Sequence, residues 1–334
     1  MKIAVCSYGP EQHHINAYGG LEVRFAVNWA QFLAGEGHEV YFFDPHGVGV
    51  DERFDLAIDC MMERCDNVKA RKHIHTSFST TSLGADVVQS SDCYQAGDFI
   101  YGSPYRVDYL KSLTMASSGG YKHIPAFMPI PYLDSWLPPM ESGFNRTEIS
   151  WTNKGNFNPE FGVDCNPHFV YNGINTLKAL VKLNQKADFK VTFVLDSLIR
   201  SARKDHSWQI EELIGQLKNV DRLEILPWTE VVKLLSRCKL NTHAGGLTSS
   251  VNEAIFTHSV PVTPTNFVHM DTVGLIPHAK EATAEEIYDI YERLWFDEGF
   301  YVQVYDAFQD HFRDHRTAGV RKAWNSLVQQ LELE

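Results

Sequence analysis

The 334-residue sequence contains no CxxC pair. Its six cysteines, Cys6, Cys60, Cys65, Cys93, Cys165 and Cys238, are scattered along the chain, so neither a disulfide framework nor a zinc site is indicated, and a reducing cytoplasm is the expected compartment. No apolar run approaches the ~20 residues needed to cross a bilayer. Met1-Lys2-Ile3-Ala4-Val5-Cys6 is too short for a signal core, lacks a cleavage signature and passes into Gly9-Pro10, and it reads as a first buried strand. Positive charge is also scarce. The formal net charge is −12, so the surface as a whole does not draw nucleic acid or anionic lipid by long-range attraction. Two local basic clusters, Lys69/Arg71/Lys72 and Arg200/Arg203/Lys204, suit a solvated face as well as a site. No period of 20 to 50 residues repeats and no low-complexity tract occurs.

What is present fits a well-packed protein of two domains, with 44% hydrophobic and 12% aromatic residues. In the first half, short apolar runs alternate with helical patterns, the sign of βαβ units and a mainly parallel sheet. Strands are expected at Lys2–Ser7, Glu39–Phe43, Asp55–Cys60, Lys72–Thr76, Asp86–Gln89, Asp98–Gly102 and His123–Ile130, with helices at Leu21–Leu33 and Tyr105–Leu113. Pro129, Pro131, Pro138 and Pro139 then mark a boundary. The alternation resumes with strands Glu148–Thr152, Lys190–Leu195, Leu223–Leu226, Lys239–His243 and Val260–Thr263. Helices are expected at Gly173–Leu183, Ser207–Leu217 and Thr229–Cys238, around Glu253, and from Ala284 onward. The organisation expected is an N-terminal Rossmann-like acceptor-side domain (1–132), a linker (133–147), a C-terminal Rossmann-like donor domain (148–310) and a C-terminal helix (311–334). Trp295, Phe296, Phe300, Tyr301, Tyr305 and Phe308 form a dense aromatic set better suited to packing than to a ligand cage.

Two glycine-rich strand-to-helix turns stand out. Tyr18-Gly19-Gly20-Leu21-Glu22 follows the first strand, and Ala244-Gly245-Gly246-Leu247-Thr248-Ser249-Ser250-Val251-Asn252-Glu253-Ala254 follows the strand ending at His243. Glycine lets the backbone approach a ligand closely, and a helix N-terminus offers unpaired N–H groups and a positive dipole end to a phosphate. A pair of such turns points to two nucleotide-type α/β domains facing one cleft. The polar stretch from Asn153 to Pro167 is longer than an ordinary connection and marks a candidate functional loop.

These segments resemble the retaining GT-B glycosyltransferases of the family 4 type. The first glycine loop, Leu33 and Gly37-His38-Glu39-Val40 look like that family's opening. Leu226-Pro227-Trp228, Val232, Leu235, the strand to His243, the glycine turn, Asn252-Glu253-Ala254 and Ser259-Val260-Pro261-Val262 follow the order of its donor-site half. The resemblance implies an α/β protein of the GT-B class, with two facing Rossmann-like domains and mainly parallel sheets. It also implies hexose transfer from a nucleotide-diphosphate sugar, UDP before GDP, with no bound cofactor and no metal.

By the same resemblance, Glu253 receives the ribose hydroxyls, a task that suits a carboxylate because it accepts two hydrogen bonds at once. Gly20, Gly246, Leu247, Thr248 and Ser249 contribute to phosphate binding. Lys154 and Arg200 are candidate cations for the departing diphosphate, His75 lies at a strand's carboxyl end beside the transferring sugar, Trp228 flanks the base, and His13 and His14 line the acceptor side. His73 shares the face of His75 and serves as its comparison. The sequence departs from the family at Gly245, where a second glutamate is usual, and at Asn172, where a lysine is usual. The acceptor stays open among a glycan, a lipid-linked sugar, a small molecule and modified DNA. The alternatives are a phage-type DNA glycosyltransferase acting on a flipped hydroxymethylated base, a nucleotide-sugar-binding protein of little or no activity, and a sugar-nucleotide epimerase.

Overall fold

The computed structural model describes residues 1–7, 21–43, 50–60, 67–77, 98–101, 123–127, 129, 131–137, 141–152, 167–194, 204–223, 226, 228–242, 249–265, 278–279 and 281–333. The chain divides into two compact units, Met1–Trp136 with Phe312–Glu334, and Leu137–His311.

The first unit is built on β1 (Lys2–Cys6), β2 (Glu39–Phe43), β3 (Arg53–Asp59), β4 (Lys69–Ser77), β5 (Asp98–Tyr101) and β6 (His123–Phe127), in the order β2-β1-β3-β4-β5-β6. The pairings are parallel. Ile3, Ala4, Val5, Leu56, Ala57 and Ile58 expose no surface, as expected for central strands covered on both faces. Helix α1 (Leu21–Gly35) buries Ala26, Trp29, Phe32 and Leu33 at helical spacing. Trp29 Nε1 donates to the Pro129 carbonyl at 3.1 Å and Asn28 Nδ2 to the Pro131 carbonyl at 2.9 Å. The helix stops in a Schellman turn: Gly37 takes φ +85°, its N–H donates to Ala34 and the His38 N–H to Leu33, each at 3.1 Å. β2 then begins at once.

The second unit runs β7 (Glu148–Trp151), α2 (Pro167–Lys186), β8 (Lys190–Val194), α3 (Lys204–Gly215), β9 (Val220–Leu223), α4 (Trp228–Arg237), β10 (Cys238–Thr242), α5 (Ser249–Phe256), β11 (Val260–Thr265), β12 (His278–Ala279), α6 (Ala284–Phe296) and α7 (Glu298–His311). Its sheet order is β12-β11-β10-β7-β8-β9, again with parallel pairings. α2 opens on Pro167, whose missing N–H is harmless at a first helical position. β9 is found at Val220–Leu223 and not at the expected Leu223–Leu226. It is an edge strand whose Asp221 pairs with Lys190 and whose Arg222 donates to Glu211 at 3.0 Å, so its charges hide it from a search for apolar runs. The expected strand Asp86–Gln89 and helix Tyr105–Leu113 lie outside the described residues.

Lys239, on β10, is buried with 3% of its surface exposed. Its Nζ donates to the Trp295 carbonyl at 2.7 Å, in the last turn of α6, and lies 3.6 Å from the Phe144 ring centroid and 4.7 Å from that of Trp295. Burial pushes its amino group down to about 8. Tyr301, Tyr305 and Phe308 of α7 are buried with it, whereas Phe296 is exposed.

Residues after α7 return to the first unit. The Tyr132 N–H donates to the His315 carbonyl at 2.9 Å, and α8 (Thr317–Gln330) buries Val320, Trp324 and Leu327. Trp324 lies against Trp29, with ring centroids 6.1 Å apart, and its Nε1 donates to His38 Nε2 at 3.2 Å. Arg321 grips Glu36 through two bonds of 2.7 and 2.6 Å.

Candidate functional site

In a doubly wound sheet, ligands bind beyond the carboxyl ends of the strands where the winding reverses. In the second unit the chain winds one way through β7, β8 and β9, then returns to the other side of β7 for β10, β11 and β12. The reversal falls between β7 and β10. In the first unit it falls between β1 and β3.

Beside the second reversal stands α5, whose fifth residue is Glu253. Only 1% of its surface is exposed, unusual for a carboxylate. Ser249 opens the helix four residues earlier. The far end of α5 is heavily anchored. Arg146 Nη1 donates to the Thr257 carbonyl at 3.0 Å and the Cys238 carbonyl at 3.1 Å, placing a cation at the negative end of the helix dipole; burial lowers the pKa of this guanidinium. Gln309 Nε2 donates to the Ile255 carbonyl at 2.7 Å. His258 takes the left-handed conformation, φ +65°, in a Schellman turn completed by Ser259 N–H to Ala254 at 2.9 Å and His258 N–H to Ile255 at 3.1 Å. A histidine there costs roughly 1 kcal/mol relative to glycine. Its Nδ1 meets the Tyr305 hydroxyl at 2.8 Å, which holds the ring in place. A helix fixed this firmly at one end presents its opening turns as a rigid support.

The carboxyl ends of β7 and β10 carry further polar groups. Asn241 pairs in register with Ser150, and Thr242 with Trp151. Thr242 Oγ1 meets the Tyr291 hydroxyl of α6 at 2.6 Å. On the opposite face, along which α4 and α5 pack, Asn241 Nδ2 donates to Ser150 Oγ at 2.9 Å and Thr152 Oγ1 at 2.8 Å. Among the described residues, Asn241 Oδ1, Trp151 Nε1 and Ser7 Oγ are buried side-chain atoms without a hydrogen-bond partner. All three stand at carboxyl ends of strands flanking a reversal, Ser7 just beyond β1. Ser259 Oγ, before β11, is another such atom. Sequence reading gave none of these residues a role at the site, and none to Arg146; it placed Tyr305 in the aromatic packing set and Ser259 in the family-like segment that opens β11.

In the first unit, His75 is in β4, in register with Asp59 of β3 and Phe99 of β5. Two residues earlier, His73 is built into the fold: its Nδ1 lies 3.1 Å from Asp59 Oδ2 and its Nε2 3.3 Å from the Val68 carbonyl. Asp59 exposes no surface. His73 is therefore a structural residue and not a neutral comparison for His75.

Trp228 is the first residue of α4, five positions past the end of β9 and not directly beyond a strand. Gly20, His13, His14, Lys154, Arg200, Gly246, Leu247 and Thr248 lie outside the described residues. No group of His, Cys, Asp and Glu among the described residues has metal-site geometry, and none of the described helices is long and apolar enough to cross a membrane.

No protein-family model and no curated sequence matches the chain. Solved structures do. The trehalose-6-phosphate protein of E. coli bound with UDP-2-fluoro glucose shares 9% identity, with 99% of each chain covered and a TM-score of 0.62. Anabaena Alr3699/HepE in complex with UDP shares 12% identity over 99% of this chain and 100% of the other, TM-score 0.58. A Listeria monocytogenes protein assigned as a UDP-N-acetylglucosamine 2-epimerase shares 9% over 92% and 90%, TM-score 0.58. The fold is GT-B. Identities this low carry the GT-B architecture and nothing finer, so the roles of individual residues rest on the geometry of this chain.

Proposed function

We propose that the protein is a glycosyltransferase that takes a hexose from a uridine-diphosphate sugar and passes it, with retention, to an acceptor hydroxyl. The observation that carries this reading is the buried Glu253 carboxylate on α5, beside the reversal between β7 and β10. Two of the structures similar to this chain hold UDP or a UDP-sugar analogue, which supports a uridine nucleotide here. In this reading the opening turn of α5, with Ser249, takes the diphosphate on backbone N–H groups and the helix dipole, and Glu253 accepts the ribose hydroxyls.

Lys154 and Arg200 would supply positive charge when the bond between the anomeric carbon and the diphosphate oxygen breaks. The acceptor oxygen forms the new bond to that carbon, and its proton leaves with the diphosphate. His75, near the carboxyl end of β4, would hydrogen-bond the sugar as positive character develops. Epimerisation is the second reading, favoured by the Listeria neighbour.

Calorimetry with UDP, and NMR of a panel of UDP-sugars with and without acceptors, tests both. Release of UDP and a transferred sugar supports transfer; a donor changed only at its C2 configuration supports epimerisation. Glu253→Ala should weaken UDP binding by roughly 1.5–3 kcal/mol, the scale of hydrogen bonds to a charged group. A folded variant with unchanged affinity would remove Glu253 from the site.

A further inference from the structure

We propose that Asn241 is a ligand-contacting residue of the second unit, and that its carboxamide oxygen takes a neutral hydrogen-bond donor of the nucleotide sugar, not its diphosphate. The inference rests on the nucleotide-sugar reading and deepens it. Asn241 is the next-to-last residue of β10, adjacent to β7 across the strand reversal, on the face along which α4 and α5 pack. Its surface is fully buried.

The amide is held at one end only. Nδ2 gives its two hydrogens to Ser150 and Thr152, at 2.9 and 2.8 Å, and this fork across two strands fixes the plane of the group. Oδ1 has no partner. A buried carbonyl oxygen left in this state is a rare arrangement that native proteins keep mainly where it serves a purpose. A carbonyl oxygen is an acceptor, so it repels the oxygens of a diphosphate and suits an O–H or N–H. A nucleotide sugar offers such groups on its hexose, its ribose and its base. Ser150 and Thr152 thus act as positioning residues and Asn241 as the one that touches substrate.

The test compares the parent protein, Asn241→Leu and Asn241→Asp by calorimetry with UDP-glucose and UDP, and with inorganic diphosphate read by its displacement of UDP. Asn241→Leu should lose about 10-fold in affinity for UDP-glucose, or 1.4 kcal/mol, with diphosphate unchanged. Asn241→Asp keeps an acceptor oxygen at this position and should preserve the ratio of UDP-glucose to UDP affinity. A loss confined to UDP-glucose places the contact on the hexose; a loss shared by UDP places it on the nucleoside. If Asn241→Leu does not fold by circular dichroism, Asn241→Ala is read the same way. Unchanged affinity for UDP-glucose, or an equal loss for diphosphate, overturns the proposal and leaves the nucleotide-sugar reading standing. Failure of the parent protein to bind either nucleotide removes that reading and the proposal with it.

Discussion

Replacing Lys239 with methionine should remove a gain in stability that the second unit makes as pH rises from 8. The amino group sits near 8 in the folded protein against its ordinary 10.5. Between those values the unfolded chain still holds a proton that the folded chain has released, so stability rises with pH across the window. From pH 8 to 9.5 the gap used is 1.5 units, or about 2 kcal/mol at 1.36 kcal/mol per unit. The Phe144 and Trp295 rings favour the ammonium form by roughly 0.5–2 kcal/mol, which leaves a net rise of about 1 kcal/mol. For a unit of 175 residues (311 − 137 + 1), that corresponds to ~2–4 °C in Tm.

Two kinds of buried group pull the other way. Burial raises the Cys238 thiol to about 12 and the Tyr291 and Tyr301 hydroxyls well above their usual range, and each loses stability as its unfolded counterpart ionises. They titrate alike in both proteins, so the readout is the difference between them. Denaturation followed by circular dichroism at pH 7.5, 8.5 and 9.5 should show the parent gaining on Lys239→Met. At pH 7.5 the two should lie within ~1 kcal/mol, since an apolar side chain of similar length replaces a buried charge and its bond. The same slope in both proteins would refute the reasoning.

Three further outcomes are expected. His73→Ala should destabilise the first unit by roughly 3 kcal/mol in urea denaturation, because it strips a partner from the buried Asp59 carboxylate; a loss below 1 kcal/mol would mean the pair contributes little. His38 accepts the Trp324 indole N–H, and burial depresses its pKa below the ordinary 6.5. The unfolded chain then takes up a proton first as pH falls, so stability declines from pH 6.5 toward 5, and His38→Phe should lose that decline in tryptophan-fluorescence melts. Gly143→Ala would place a methyl 2.5 Å from the His258 carbonyl oxygen and 2.7 Å from the Tyr301 hydroxyl; a cost of about 1–3 kcal/mol is expected in thermal denaturation.

The alternation of apolar runs and helical stripes made both sheets legible, because a central parallel strand such as β1, with Ile3, Ala4, Val5 and Cys6 in succession, is hydrophobic without interruption. The edge strands β9 and β12 were not, although β2 and β6, also at edges, were. β9 carries Asp221 and Arg222, and β12 is two residues long. Glu253 stood out in the sequence because its expected role depends on an offset from a glycine turn in the same stretch of chain. Asn241 and Arg146 depend instead on partners up to 91 and 111 positions away, and nothing local marks either. The histidines of β4 show the limit from the other side. Alternation paired His73 with His75, but the carboxylate that claims His73 belongs to another strand.

The return of the chain to its first unit sets an order of manufacture. Trp324 and Arg321, which cover Trp29 and grip Glu36, are translated only after the whole of the second unit. From residue 137 to 334 is 198 residues (334 − 137 + 1), or ~10–40 s on the ribosome at 5–20 residues per second. Throughout that interval the nascent first unit holds the side of α1 around Trp29 without its closing helix, and a chaperone that binds exposed tryptophan would find it there. Substitutions that weaken this side of α1 should therefore reduce the yield of folded protein in cells more than they lower the stability of the finished molecule.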